Sequence, residues 1–419
     1  LATCFTILLG FPIAGALGLI AATIMVATSG TDLLLIFIQR TYAATTSFPL
    51  LAIPFFILAG NLMNVGGTTE RIFEVAKLMV GRVRGGLAHV NVLGSMIFAG
   101  MSGSAVADAA GLGVIEIRAM VKEGYKAKFA ATISAVSATI GPIIPPSIGF
   151  VIFGVAANVS VTKLFLAGIF PGIWLALGLW LTWWWTTRKE TLVTPPRRTK
   201  GEVLQALREA GWALTLPLII IVGLRMGVFT PTEAAVVAAV FAMFVAGVIY
   251  RELSWRQLYQ TFEAAAKTTS VVMFLVAAAM VSAWLITVAQ LPAQVVQLLS
   301  PLLDNPTLLM FAIMALVIVV GTAMDMTPTI LILTPVLMPL VKAAGIDPVY
   351  FGVMFIINNS IGLVTPPVGT VLNAVAGVGR MKMDDVTRGV MPFMIVQFAV
   401  MFLMVLFPQL VMWPAKLLY

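Results

Sequence analysis

The sequence predicts an all-α polytopic membrane protein built from two inverted halves, each with a re-entrant hairpin and a broken transmembrane helix. Three observations carry this reading. Of 419 residues, 60% are apolar and 10% charged, against about 25% charged in a soluble domain, and the mean hydropathy is +1.05. Two long apolar runs are cut by paired prolines, at Ile140-Gly-Pro-Ile-Ile-Pro-Pro-Ser147 and Ile361-Gly-Leu-Val-Thr-Pro-Pro-Val368. The second break follows the first at a fixed shift, 361 against 140, and other glycines and prolines keep that register.

Windows near the about 20 residues needed to span a bilayer fall at 4–28, 47–65, 163–187, 212–229, 232–250, 268–289 and 388–410. Runs 126–158 and 347–379 are longer and contain the breaks, so nine crossings follow. Proline removes an N–H and pushes the preceding residue out of the helical region. Within hydrocarbon such a break is tolerated only where it is buried in protein or lines a cavity. Stretches 87–118 and 308–341 are each divided, by Gly100-Met-Ser-Gly-Ser-Ala-Val-Ala-Asp108 and by Gly321-Thr-Ala-Met-Asp-Met-Thr-Pro328. Arms of about 14–16 residues are short for a crossing, which favours hairpins over full spans. Segments 31–46, 69–84, 252–267 and 290–305 are too polar or too short to span. Of these, Arg71–Val80 has apolar residues at helical spacing and reads as an amphipathic in-plane helix.

Charge sets the orientation. With the N-terminus in the cytoplasm, the outer side keeps only Arg40, Lys163, Arg225, Lys342 and Lys416 of the 25 basic residues, as the positive-inside rule requires. The net charge of +8 therefore belongs to loops and calls for no nucleic acid. Under the shift of 221, Gly100 meets Gly321, Gly124 meets Gly345, Gly168 meets Gly389 and Pro171 meets Pro392. Five crossings before the second half begins place that half upside down. One cysteine, Cys4, precludes an intramolecular disulfide, and one histidine, His89, precludes a histidine metal cluster within the chain. Trp183, Trp184 and Trp185 beside Arg188 and Lys189 read as an interfacial aromatic belt.

Interrupted helices at matching places point to a transporter's binding site. The tips offer the hydroxyls of Ser102, Ser104, Thr322 and Thr327, and the breaks free carbonyls near Gly141, Ile144, Gly362 and Thr365. Neutral oxygens of this kind suit Na⁺, while half-helices starting near Ala105, Ser147, Met326 and Val368 would draw a carboxylate. Asp108 reads as a ligand of an ion or a tie to a neighbouring helix, and Asp325 as a functional carboxylate or an N-cap. Asn358 and Asn359, just before the second break, orient substrate or tie helices together. An intramembrane enzyme lacks its catalytic pair here, and a channel fits opposed breaks less well than alternating access does.

Ser102-Gly-Ser-Ala-Val-Ala-Asp108, the two proline-paired breaks and Leu51-Ala-Ile-Pro-Phe-Phe-Ile-Leu-Ala-Gly60 resemble the large membrane (M) subunit of the tripartite ATP-independent periplasmic (TRAP) transporters, over essentially the whole chain. The resemblance implies an ion-transporter-type fold and Na⁺-coupled symport of a small organic acid by an elevator motion. It also implies two partners, a small four-helix membrane subunit (Q-type) and a periplasmic substrate-binding protein (P-type). Two or more Na⁺ would be held by Ser102, Gly103, Ser104, Gly141, Ile144 and Pro145, and by Thr322, Asp325, Gly362 and Thr365, with no organic cofactor. Substrate would meet Ser104, Asp108, Ser147, Asp325, Asn358, Asn359, Pro366 and Val368. The expected parts are scaffold at 1–86 and 212–305, transport parts at 87–187 and 306–419, and a cytoplasmic linker at 188–211. The expected location is a bacterial or archaeal inner membrane. A stand-alone Na⁺/dicarboxylate symporter needing no binding protein is the alternative.

Overall fold

The computed structural model describes residues 11–83, 85–188 and 199–418, all helical or connecting. Cys4 and the start of the span 4–28, Arg84, and linker residues 189–198 (with Lys189, Arg197 and Arg198) lie outside the described residues. The chain opens with α1 (Ile13–Ser29), α2 (Leu34–Thr45), α3 (Ala52–Val65) and α4 (Thr68–Val80). The first divided stretch folds as α5 (Gly86–Ser102), α6 (Ala105–Ala110) and α7 (Leu112–Lys122). Its second arm is thus two helices, kinked at Gly111, where one was expected. The first broken span is α8 (Ala127–Ala138) and α9 (Ile148–Ala157), and α10 (Val161–Thr186) follows.

Next come α11 (Lys200–Arg225), α12 (Pro231–Phe244, continued by one π turn to Ile249) and α13 (Trp255–Val288). Short helices α14 (Leu291–Leu298) and α15 (Ser300–Leu303) lead to the second divided stretch, α16 (Pro306–Gly321) and α17 (Met326–Ala343). The second broken span is α18 (Pro348–Gly362) and α19 (Thr370–Gly379), before α20 (Met383–Leu406) and α21 (Gln409–Leu418). Among the described residues, seven helices are long and apolar enough to cross a bilayer.

Three expectations are corrected here. Segment 252–267 is no separate in-plane piece, because residues 255–267 run without interruption into the span and give one helix of 34 residues. A Ser254–Gln257 capping box starts it, and no Gly or Pro occurs between 255 and 288 to stop it. At 1.5 Å per residue it reaches about 50 Å, well beyond a bilayer's hydrocarbon core. Residues 200–211, expected as loop, are likewise helical and form the start of α11 behind a Thr199–Glu202 capping box. The second arm α17 has 18 residues, longer than the expected arm, although it contains Pro335 and Pro339.

Packing interlocks the two halves. The helix after the first break, α9, lies on α17, and the helix after the second break, α19, lies on α6. Phe153 of α9 reaches α18, with ring centroids 6.0 Å from Phe351 and 5.9 Å from Phe355. On the other side, α3 packs against α12 and α13, and α13 also covers α1 and α2. The amphipathic α4 buries Ile72, Phe73, Val75 and Ala76, and its Arg71 pairs with Glu252 at 2.7 Å and stacks 3.7 Å over Tyr250. Trp183 is no belt residue. It is buried, donates from its ring N–H to the Gly85 carbonyl at 3.2 Å and stacks on Tyr125, while Trp184 and Trp185 stay exposed. Displaced by 221 residues, Ala105 lands on Met326, Lys122 on Ala343 and Ala127 on Pro348, each a matching helix end. Thr139 and Ser360 carry that same separation of 221 and touch, the Ser360 hydroxyl donating to the Thr139 carbonyl.

Candidate functional site

The first tip is a tight reversal. Ser102 ends α5, Gly103 turns the chain at φ 63°, and Ser104 caps α6, its hydroxyl accepting from the Ala107 N–H at 3.4 Å. The Ser102 hydroxyl donates to the Asp108 carboxylate. The other Asp108 oxygen, Oδ2, is buried and has no hydrogen-bond partner among the described residues. It sits against the first break, where a side chain on Gly141 would strike it.

The first break covers Thr139–Pro146 and ends at Ser147, which caps α9 by accepting from the Phe150 N–H at 3.2 Å and donates to the Pro142 carbonyl. Tip and break are tied by the Ile148 N–H to the Gly103 carbonyl at 3.4 Å. The second break covers Leu363–Gly369 and is tied in the same way, Val368 N–H to the Thr322 carbonyl at 3.4 Å. Pro145–Pro146 and Pro366–Pro367 are both cis. Asp325 sits at the N-cap position of α17 but makes no capping hydrogen bond. Its carboxylate instead accepts from the Thr370 hydroxyl at 3.3 Å.

Both tips and both breaks meet at one cavity of about 420 Å³, within the range typical of small-molecule sites. Ser102, Gly103 and Ser104 come from the first tip, Pro142 from the first break and Ile148 from the start of α9 that follows it. Asp325, Met326 and Thr327 come from the second tip and Leu363 from the second break. The facing wall is Gly60 and Asn61 of α3 with Thr268 and Val272 of α13. Among the described residues no Lys, Arg or His lines it. Another cavity, of about 370 Å³ between α4 and α11, is walled by Glu70, Glu74, Glu202, Glu209 and Glu252 around Arg71, which ill suits an organic anion.

Of the residues singled out from the sequence, Ser102, Gly103, Ser104 and Asp325 share the cavity wall. Asp108 stands behind the tip, and Gly141, Ile144, Pro145 and Ser147 are buried in the first break. Thr322 belongs to the second tip but is half-buried off the wall, its hydroxyl donating to the Val319 carbonyl at 2.8 Å; Gly362 and Thr365 are buried, and a side chain on Gly362 would come within 3.1 Å of the Gly321 carbonyl oxygen. Asn358 and Asn359 are buried off the cavity. Asn358 donates to the Met314 carbonyl of α16 at 2.7 Å and Asn359 to Phe355 of its own helix at 2.8 Å. Pro366 and Val368 lie off the wall, with Val368 exposed. Sequence reasoning missed Asn61 and Thr268. Asn61 is a polar side chain within an otherwise apolar run, a signal the sequence held, whereas Thr268 follows Lys267 in a polar stretch and carried none. Among the described residues no three His, Cys, Asp or Glu side chains gather as metal ligands.

A helical membrane fold with a central cavity made of interrupted helices is the build of a membrane transporter. The crystal structure of the Alcanivorax borkumensis YdaH transporter shares the fold, with TM-score 0.67, 15% identity, and 90% of this chain and 88% of that chain covered. Residues 2–410 match the family described as the tripartite ATP-independent periplasmic transporter, DctM component. The 2,3-diketo-L-gulonate TRAP transporter large permease protein YiaN of Escherichia coli is 51% identical over 98% of this chain and 96% of its own. The sialic acid TRAP transporter large permease protein SiaM of Vibrio cholerae is 40% identical over 96% and 93%. The C4-dicarboxylate TRAP transporter large permease protein DctM of Pseudomonas aeruginosa is 37% identical over 85% and 84%. The chain belongs to the DctM family of TRAP transporter large permeases.

Proposed function

We propose that this chain carries a small organic acid across the inner membrane by Na⁺-coupled symport, moving its tips and breaks together against a fixed frame. The observation that carries the reading is the convergence of two tips and two breaks on one cavity whose far wall belongs to α3 and α13. The relatives' named cargoes (a diketo sugar acid, sialic acid and C4-dicarboxylates) have a carboxylate in common. Residues 87–187 and 306–419 form the moving part, and 1–86 with 212–305 the frame. The matched helix ends and the contact between Thr139 and Ser360 support an inverted repeat, since positions on a two-fold axis meet their own counterparts. An odd number of crossings before the second half, and a cytoplasmic N-terminus, complete that topology.

Na⁺ coupling draws on Asp108. A buried carboxylate oxygen without a partner is costly, and a cation between it, Ser102 and the carbonyls of the first break relieves that cost. A second ion fits the oxygens of Thr322, Gly362 and Thr365, leaving Asp325 to face the cavity. A small four-helix subunit and a periplasmic binding protein complete the transporter. The test is uptake by proteoliposomes holding this chain and its small subunit, with and without the binding protein, under an imposed Na⁺ gradient. Uptake needing both the gradient and the binding protein supports the reading. Uptake without the binding protein favours a stand-alone carrier, and flux indifferent to Na⁺ removes the ion sites.

A further inference from the structure

Among the described residues the cavity wall carries one charged side chain, Asp325, and five neutral polar ones, Ser102, Ser104 and Thr327 on the tips and Asn61 and Thr268 on the frame. Neither the Asn61 amide nor the Thr327 hydroxyl is engaged by another described group of the protein. The Thr268 hydroxyl donates to the Ala264 carbonyl at 3.1 Å and keeps its lone pairs. Asp325 accepts from the Thr370 hydroxyl and has acceptor sites to spare.

We propose that the acid carried is a hydroxylated monocarboxylate, of the sugar-acid kind, and not a dicarboxylate. The proposal rests on the transport reading above and concerns the same cavity. Charge makes the first half of the argument. The two Na⁺ proposed above are balanced by Asp108 and Asp325, so a dicarboxylate would bring two uncompensated negative charges into a confined space that offers no Lys, Arg or His among the described residues. Like charges in a site of low dielectric repel strongly. A monocarboxylate brings one charge and leaves its remaining length neutral.

Hydrogen-bonding capacity makes the second half. A wall of free amide, hydroxyl and carboxylate groups loses its water when a ligand enters, and an alkyl chain gives nothing back. Hydroxyls on the ligand donate to Asp325 and Thr268 and accept from Asn61 and Thr327, so each group is paired again. A site built to pair with hydroxyls rejects the analogue lacking them by large factors. Asn61 and Thr268 stand on the frame, so they read substrate only while the moving part faces them across the cavity.

The experiment compares three six-carbon acids, D-gluconate, n-hexanoate and adipate, as stabilisers of the detergent-purified chain with its small subunit in NaCl. A ligand of the folded state raises the melting temperature by mass action, so a concentration series gives an apparent Kd without the binding protein's own selectivity. Gluconate should half-saturate at a concentration at least about tenfold below either competitor, the discrimination a few hydrogen bonds supply. Asp325→Asn should narrow the gap between adipate and gluconate, and Asn61→Leu the gap between hexanoate and gluconate, each referred to the variant's own melt without acid. Adipate or hexanoate binding as well as gluconate to the unsubstituted protein overturns the substrate class and leaves organic-acid transport standing. Stabilisation by none of the three, with Na⁺ or without it, removes the cavity as an acid site and both readings with it.

Discussion

Gly103→Ala probes the contact on which the first tip depends. Gly103 has φ 63°, a left-handed conformation that costs a residue with a Cβ about 1–2 kcal/mol. Its would-be Cβ lies 2.6 Å from the Pro146 carbonyl oxygen and 3.2 Å from Ile148 N and Ser147 Cα. All three are backbone atoms, so no side chain can swing aside. Overpacking of this sort adds about 1–3 kcal/mol, for a total of about 2–5 kcal/mol. Gly345→Ala is the control. It has φ 69° and nothing within 4 Å, so it carries the conformational cost alone, about 1–2 kcal/mol. Thermal melts of both variants in detergent, beside the unsubstituted chain, isolate the close approach. Uptake against Na⁺ concentration then reads its functional share. If only 1.4 kcal/mol of the misfit falls on the ion-bound arrangement, the apparent Na⁺ affinity drops tenfold. Equal melting temperatures for the two variants, with the Na⁺ dependence of Gly103→Ala unchanged, would refute the contact between tip and break.

Asp108→Asn keeps the shape but removes the charge, and should weaken apparent Na⁺ affinity about tenfold or more, the scale of a hydrogen-bonded charge. An unchanged Na⁺ curve would leave Asp108 without an ionic role. In a Cys4→Ser background, Gly100→Cys with Pro217→Cys places a bridge between the first hairpin and α11, where a Cβ on Gly100 would lie 3.0 Å from Pro217 Cβ. Slight relaxation reaches disulfide distance. Oxidation should arrest uptake and reductant restore it, and full uptake by the crosslinked protein would sink the moving-part assignment. Ser360→Ala leaves the Thr139 carbonyl unpaired in the buried centre and should cost about 1–3 kcal/mol in a thermal melt. A cost below about 0.5 kcal/mol, the low end for a net hydrogen bond, would mean that the contact contributes little to holding the halves together.

Punctuation made much of this architecture legible. Proline pairs announced both breaks, and Ser104 and Ser147, each followed by an apolar run, marked where half-helices restart. The register of Gly100 with Gly321 carried over to helix ends that agree residue for residue at Ala105 and Met326. What stayed hidden lacked such marks. The polar start of α13 read as a separate piece because its composition changes near Lys267, while helix continuity depends on the absence of a breaker. Trp183 looked interfacial by its neighbours in sequence, yet the register of α10 turns it inward onto Tyr125. Asn61 and Thr268 join the cavity only because α3 and α13 pack side by side. Asp325 was placed correctly at the head of α17, but proximity in space to Thr370, 45 residues on, decides which hydrogen bond it makes.

The bond between Ser360 and Thr139 bears on ancestry. In a dimer of identical subunits, a residue on the two-fold axis faces its own copy, and any change there happens twice at once. Once two copies share a single chain, each side can mutate alone. Position 360 now donates through its hydroxyl to the backbone of 139, while the Thr139 hydroxyl donates to Val136 at 2.6 Å and accepts from Gln397 at 2.6 Å. On the inverted-repeat reading, this asymmetric exchange of partners is a trace of gene duplication and fusion. Restoring a matched pair, Ser at both positions or Thr at both, would rebuild the ancestral meeting point and show whether the later divergence was selected or neutral.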